Sequence, residues 1–139
     1  MERDIIDVVG AMFFENGKLL IDKPRKRPTF QMVGGSVEKG EKPIQAVIRE
    51  CHEELGEKAI FDESKFEFIM DFIEVATSDS TQKIHMHIFK YNGVLEGDLV
   101  VSDEIEKFMW FGINDDTSAL SNTLKNEIIP YVIKNKLIF

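Results

Sequence analysis

Glu50, Glu53 and Glu54 stand at i, i+3 and i+4, a spacing that puts three carboxylates on one face of a helix. Like charges so placed repel and weaken the helix unless something positive sits among them. A hard divalent cation resolves the repulsion, because Mg²⁺ and Mn²⁺ take oxygen ligands. An acidic helix face by itself is most often solvated surface, so the reading depends on what surrounds it.

The elements that must position these acids can be read around them. Phe30 to Val33 is predicted as a brief strand running into the turn Gly34-Gly35. A glycine there lets a backbone carbonyl approach a ligand that a side chain would obstruct. The helix is predicted from Pro43 to Leu55, with proline in its first turn and Gly56 as its stop. Ile44, Val47, Ile48, Cys51 and Leu55 form its apolar stripe, and the acids lie off it. Upstream, Ile5 to Phe14 and Leu19 to Lys23 read as a hairpin around Asn16-Gly17. Downstream, Phe66 to Ala76 and Gln82 to Tyr91 read as strands joined by the polar turn Thr77 to Thr81. Lys107 to Phe111 reads as another strand, and Leu124 to Lys134 as a second helix despite Pro130. Strands interleaved with two helices predict an α/β or α+β sandwich.

The chain has 139 residues, which suits one domain over 1–139 able to bury roughly two-thirds of its unfolded surface. A net charge of -8 argues against nucleic acid or an anionic membrane as partner. It also requires local positive charge or metal for an anionic substrate. No apolar run approaches the roughly 18 residues of a membrane span. The start, Met1 to Asp7, lacks the basic region and long apolar core of a signal peptide. Cys51 is the only cysteine, which excludes an internal disulfide and fits a reducing, cytoplasmic location. It sits on the apolar stripe without an activating base, so it is read as core. His85 and His87 share one strand face but lack a third ligand at useful spacing, so they and His52 are read as structural or surface residues. Phe30, Phe89, Trp110 and Phe111 are aromatics at strand positions, more often core than base-stacking.

The spacing Gly35, Glu41, Arg49, Glu50, Glu53, Glu54, Gly56 resembles the Nudix hydrolase signature, G-x5-E-x7-R-E-U-x-E-E-x-G-U, where U is bulky and apolar. Seven fixed matches at about 5–7% usage each arise by chance on the order of 10⁻⁸ to 10⁻⁹ times per start position. Cys51 fills the first U position as a small hydrophobe, and Glu57 departs from the last. Phe30-Gln31-Met32-Val33-Gly34-Gly35 resembles the family's aromatic-x-x-Pro-Gly-Gly segment, with Val33 for proline. His87-Ile88-Phe89, Ser102-Asp103-Glu104 and Trp110-Phe111 resemble the MutT-like subgroup, whose members include hydrolases of oxidised purine nucleoside triphosphates.

The resemblance implies a Nudix α/β/α sandwich with a mixed β-sheet between helices. It implies a Mg²⁺-dependent (or Mn²⁺-dependent) pyrophosphohydrolase that converts a nucleoside triphosphate to a monophosphate and pyrophosphate. The metal ligands implied are Gly35, Glu50, Glu53, Glu54 and Glu104. Catalytic roles fall to Glu53 as the favoured general base and to Glu50, with Arg49 and Glu41 orienting the carboxylates. Lys23, Arg27 and Gln31 are the implied substrate contacts. The partner implied is a small-molecule nucleotide, bound by a monomer or homodimer. Another nucleoside diphosphate linked to X, such as a dinucleoside polyphosphate or ADP-ribose, is the alternative substrate, and a non-catalytic nucleotide sensor the alternative class. Where the subgroup carries two adjacent aspartates before its last helix, this chain has Leu124 and Lys125, which departs from the oxidised-purine pattern.

Overall fold

A computed structural model describes residues 4–77 and 79–139. The start Met1 to Arg3, and Ser78 of the predicted 77–81 turn, lie outside the described residues. The chain orders its strands as β1 (Ile6–Met12), β2 (Phe14–Glu15), β3 (Lys18–Pro24) and β4 (Gln31–Ser36). Helix α1 (Pro43–Leu55) follows, then β5 (Ala59–Ile60), β6 (Phe66–Ala76), β7 (Asp79–Tyr91), β8 (Glu96–Gly97) and β9 (Ile105–Phe111). Helix α2 (Ile129–Lys134) closes the fold.

One mixed sheet carries the order β2-β3-β4-β1-β7-β6, with β9 added on β3. The β1–β7 pair is parallel and the other pairs are antiparallel. Alternation along the strands sends side chains to two separate cores. Val9, Ala11, Phe13, Leu20, Val33 and Phe89 pack beneath α1 on Val47, Cys51 and Leu55. Met12, Ile21, Met32, Met86 and Ile88 face the other way, onto Leu124, Ile128, Ile129 and Val132 of the C-terminal segment. A sheet covered on both faces by helices is the α/β/α sandwich expected from the sequence. Among the described residues no helix is long and apolar enough to cross a membrane.

Helix α1 occupies the predicted residues, and the Asn16-Gly17 turn is present with both residues at positive φ, 51° and 73°. Several elements differ from the prediction. Across the turn only the two-residue β2 pairs with β3, while β1 pairs with β4 and β7 instead. Strand β7 begins at Asp79, inside the predicted 77–81 turn. Strand β4 runs on through Gly34-Gly35 to Ser36, because β1 pairs with it across Val9↔Gly35 and Gly10↔Gly34. The second helix is divided: Leu124–Ile128 forms a wider π turn before α2. Pro130 offers no N–H to residue 126 and its ring would strike that carbonyl, and a π turn just before it relieves both.

Candidate active site

Helix α1 begins behind Lys42, whose backbone N–H donates to Gln45 Oε1 at 2.8 Å. Its buried stripe, Ala46, Val47, Cys51 and Leu55, fixes the helix rotation and turns Glu50 and Glu54 toward the β3–β4 strands. The three acids of the face therefore meet different surroundings. Glu53 points to solvent, with 58% of its side chain exposed. Glu50 is mostly covered at 15%. Glu54 reaches back to accept a hydrogen bond from the Gly34 N–H at 3.2 Å.

Arg49 is the positive charge among them. Its Nε and Nη2 form a two-pronged pair with Glu41 at 2.9 and 3.0 Å. Nη2 also donates to the Ser36 carbonyl at 2.9 Å, and Nη1 to Glu50 at 3.0 Å and Glu53 at 3.3 Å. A planar guanidinium has five N–H donors in fixed directions, so one side chain ties the loop before α1 to two acids on it. The Arg49 pairing holds the Glu41 carboxyl down at about 2, below the usual carboxylate range. The same pairing raises the Arg49 pKa still further.

Burial does the opposite to the inner acids. It raises Glu50, against the lowering effect of Arg49. Burial also raises Glu54 and Asp22, and the proximity of two carboxyls pushes Glu54 the higher of the pair. Asp22 Oδ2 and Glu54 Oε2 are both buried with no hydrogen-bond partner. Gly35 shapes the same space, since a Cβ there would come within 2.4 Å of the Glu50 carboxyl. Orphaned buried oxygens beside a second carboxylate and a bare glycine backbone fit a hard divalent cation, which takes oxygen ligands. Glu104 is exposed between Ser102 and β9, and its charge is felt at Glu50.

The opposite face of the sheet carries a cavity of about 370 Å³ that reaches the same pair of glycines in β4. Val8, Met32, Ile84 and Met86 give it apolar walls, and Arg27, Gln31, Ser121 and Thr123 line it with polar atoms. Arg27 and Gln31 thus meet in one cavity with Gly34 and Gly35. Lys23 does not line it, and its Nζ lies 3.4 Å from Glu106. Leu124 is fully buried in the core beside Thr123. Phe89 and Phe111 are core residues, and Phe30 lies under the Lys107 ammonium at 5.6 Å. Cys51 is buried, and that burial raises its thiol well above the ordinary value, against nucleophilic use.

Sequence reasoning missed Asp22, Ser121 and Thr123. A lone aspartate in an apolar strand, Leu19-Leu20-Ile21-Asp22, was the available signal for the first, because a buried charge needs a reason. Ser121 and Thr123 carried none.

A family model, the Nudix domain, matches residues 5–131. The chain belongs to the Nudix family and is a Nudix hydrolase, a family that generally uses divalent metals. No curated protein matches it at a significant level by sequence. Among solved structures, a MutT Nudix hydrolase from Burkholderia pseudomallei matches with a TM-score of 0.73 at 20% identity, over 88% of this chain and 95% of that one. A UDP-X diphosphatase matches at 0.69 and 18% identity, over 97% of this chain and 65% of that one. A bifunctional NMN adenylyltransferase/ADP ribose pyrophosphatase from Francisella tularensis, complexed with AMP and a manganese ion, matches at 0.69 and 15% identity, over 96% of this chain and 42% of that one.

Proposed function

We propose that this protein is a Mg²⁺-dependent pyrophosphohydrolase, with Mn²⁺ as a substitute, that splits a nucleoside triphosphate into a nucleoside monophosphate and pyrophosphate. The observation that carries the reading is the glycine pair of β4. Gly35 borders the Glu50 carboxyl on one side and the cavity on the other. A nucleotide seated in the cavity would lead its phosphates past that pair to the acids of α1.

Glu50, Glu54 and the Gly35 carbonyl would hold the cation, with Glu53 and Glu104 adding carboxylates from the solvent side. When bound, a divalent ion neutralises phosphate oxygens and acidifies water. Glu53, the exposed acid, would accept the proton from attacking water. Arg49 and Glu41 keep Glu50 and Glu53 in place through the contacts described above, so their role is positioning. Arg27 would meet a phosphate at the mouth of the cavity. Gln31, Ser121 and Thr123 would hydrogen-bond the base or sugar. Leu124, held in the core, brings no carboxylate to the cavity, which does not favour an oxidised purine over an ordinary base. The cytoplasm suits such a substrate and the chain's single buried thiol.

The test is a panel of nucleoside triphosphates, dinucleoside polyphosphates and ADP-ribose incubated with Mg²⁺ or Mn²⁺, with products resolved by chromatography. Monophosphate and pyrophosphate from triphosphates are expected. Preferential cleavage of a linked diphosphate would reassign the substrate, and tight binding of every nucleotide without turnover would make the protein a sensor.

A further inference from the structure

The structure assigns a second metal site, distinct from the acids of α1: Asp7, His85 and His87 form a three-ligand centre for a transition-metal dication of the Zn²⁺ type. The strand β7 alone shows two histidines on one face and no third ligand. The third comes from β1, which runs parallel to β7 with Asp7 directly opposite His85. Asp7 Oδ1 lies 3.2 Å from His85 Nδ1 and 3.0 Å from His87 Nε2, and all three ligand atoms lie within 4.8 Å of one another. A tetrahedral zinc ion with bonds of about 2.0–2.1 Å separates its ligand atoms by roughly 3.3 Å. Only small side-chain movements divide the observed arrangement from that geometry.

A second carboxylate holds the far side of one ring: His85 Nε2 lies 2.7 Å from Asp71 Oδ2 on β6, and the contact with His85 holds the Asp71 carboxyl below its ordinary value. A carboxylate holding the far nitrogen of a histidine is the arrangement that orients metal-bound imidazoles. The two imidazole rings have centroids 4.2 Å apart, and one dication between them would balance Asp7 and Asp71 together. His87 is 14% exposed and His85 30%, so the ligands are half withdrawn from water while Asp7 keeps a side open to solvent. Two imidazoles with one carboxylate select zinc-type ions, whereas the all-oxygen set on α1 selects Mg²⁺. The site would pin β1 to β7 and leave a fourth position open.

The experiment is a Zn²⁺ titration against a chromophoric chelator in a large excess of Mg²⁺, which occupies the α1 acids. One high-affinity equivalent per chain is expected for the wild type. Affinity should fall about tenfold or more in His85→Ala and His87→Ala, and about tenfold in Asp71→Asn. It should be unchanged in Glu54→Gln. Mg²⁺-supported turnover of His85→Ala should match the wild type, which shows that the variant is folded. Wild-type histidine proton resonances should shift on adding one equivalent of Zn²⁺. Equal Zn²⁺ affinity in the wild type and both histidine variants, loss of the site in Glu54→Gln, or histidine resonances that respond to pH but not to Zn²⁺ would each overturn the assignment.

Discussion

The two faces of the sheet are built in opposite ways. On the α1 face, Glu41, Arg49, Glu50, Glu53 and Glu54 lie within one short stretch of chain, and the Arg49 guanidinium links three of the four acids. On the other face, the cavity takes Val8 from β1, Gln31 and Met32 from β4, Ile84 and Met86 from β7, and Ser121 and Thr123 from the C-terminal loop. The first face is a local device whose geometry follows from helical periodicity. The second exists only once the sheet has assembled. Under the proposed function, the difference would separate bond-breaking from recognition, so that one face could stay fixed while the other changed its ligand.

The adjacent glycines on the border give the sharpest contrast. A Cβ at Gly34 would come within 1.9 Å of the Val9 carbonyl oxygen, which is backbone and cannot step aside. Gly34→Ala should therefore destabilise the fold by about 3 kcal/mol or more, read by denaturant unfolding. At Gly35 the obstacle is the end of the Glu50 side chain, which can move. Gly35→Ala should unfold normally yet lose about tenfold or more in kcat. Equal losses of stability in the two variants would break the contrast.

Arg49→Lys should lower kcat by about 10- to 100-fold with KM little changed, because an ammonium cannot keep the two-pronged Glu41 contact and the Ser36 carbonyl together. On the cavity face the pattern should invert. Arg27→Ala should raise KM for triphosphates several-fold at nearly constant kcat, while Lys23→Ala, already paired with Glu106, should do less. A drop in kcat for Arg27→Ala would move that residue to the chemistry.

The smallest effect concerns pH without metal. Glu54 and Asp22 have folded pKa values above their ordinary ones. The stability they contribute is full below the ordinary carboxylate range and is lost as pH rises through the raised values. Glu41 runs the other way: its contribution is present above the ordinary value of 4.5 and is lost as pH falls toward about 2, so it is constant from pH 5 to 8. In a chelator, melting temperature should fall between pH 5 and pH 8, and Glu54→Gln should flatten the slope. An equally steep slope in that variant would exclude the buried pair as its source.

The same contrast explains what was legible in the sequence. Glu50, Glu53 and Glu54 announce themselves because helix period and sequence spacing are one quantity. Gly35 and Arg49 follow because they lie within one helix length of these acids. The turn at Asn16-Gly17 and the strand Phe66 to Ala76 were legible for the same local reason, whereas the pairing of β1 with β4 and β7 rather than across that turn was not. Asp22 was not, because its partner Glu54 is brought to it only by packing of α1 on β3 and β4. Asp7 was hidden from His85 and His87 by a parallel pairing that no short pattern encodes. The π turn before Pro130 was foreshadowed by the proline but not by hydrophobic spacing, which reads as one continuous helix.

The central claim is that the acids buried and positioned on α1 break a phosphoanhydride bond. The most direct test is kcat for pyrophosphate release by Glu54→Gln, measured at saturating Mg²⁺ and nucleoside triphosphate on protein whose melting temperature is first shown to be near wild type. The account predicts a loss of about 100-fold or more, because the amide supplies no charge to the cation or to the transition state. Turnover within a few-fold of wild type would contradict it.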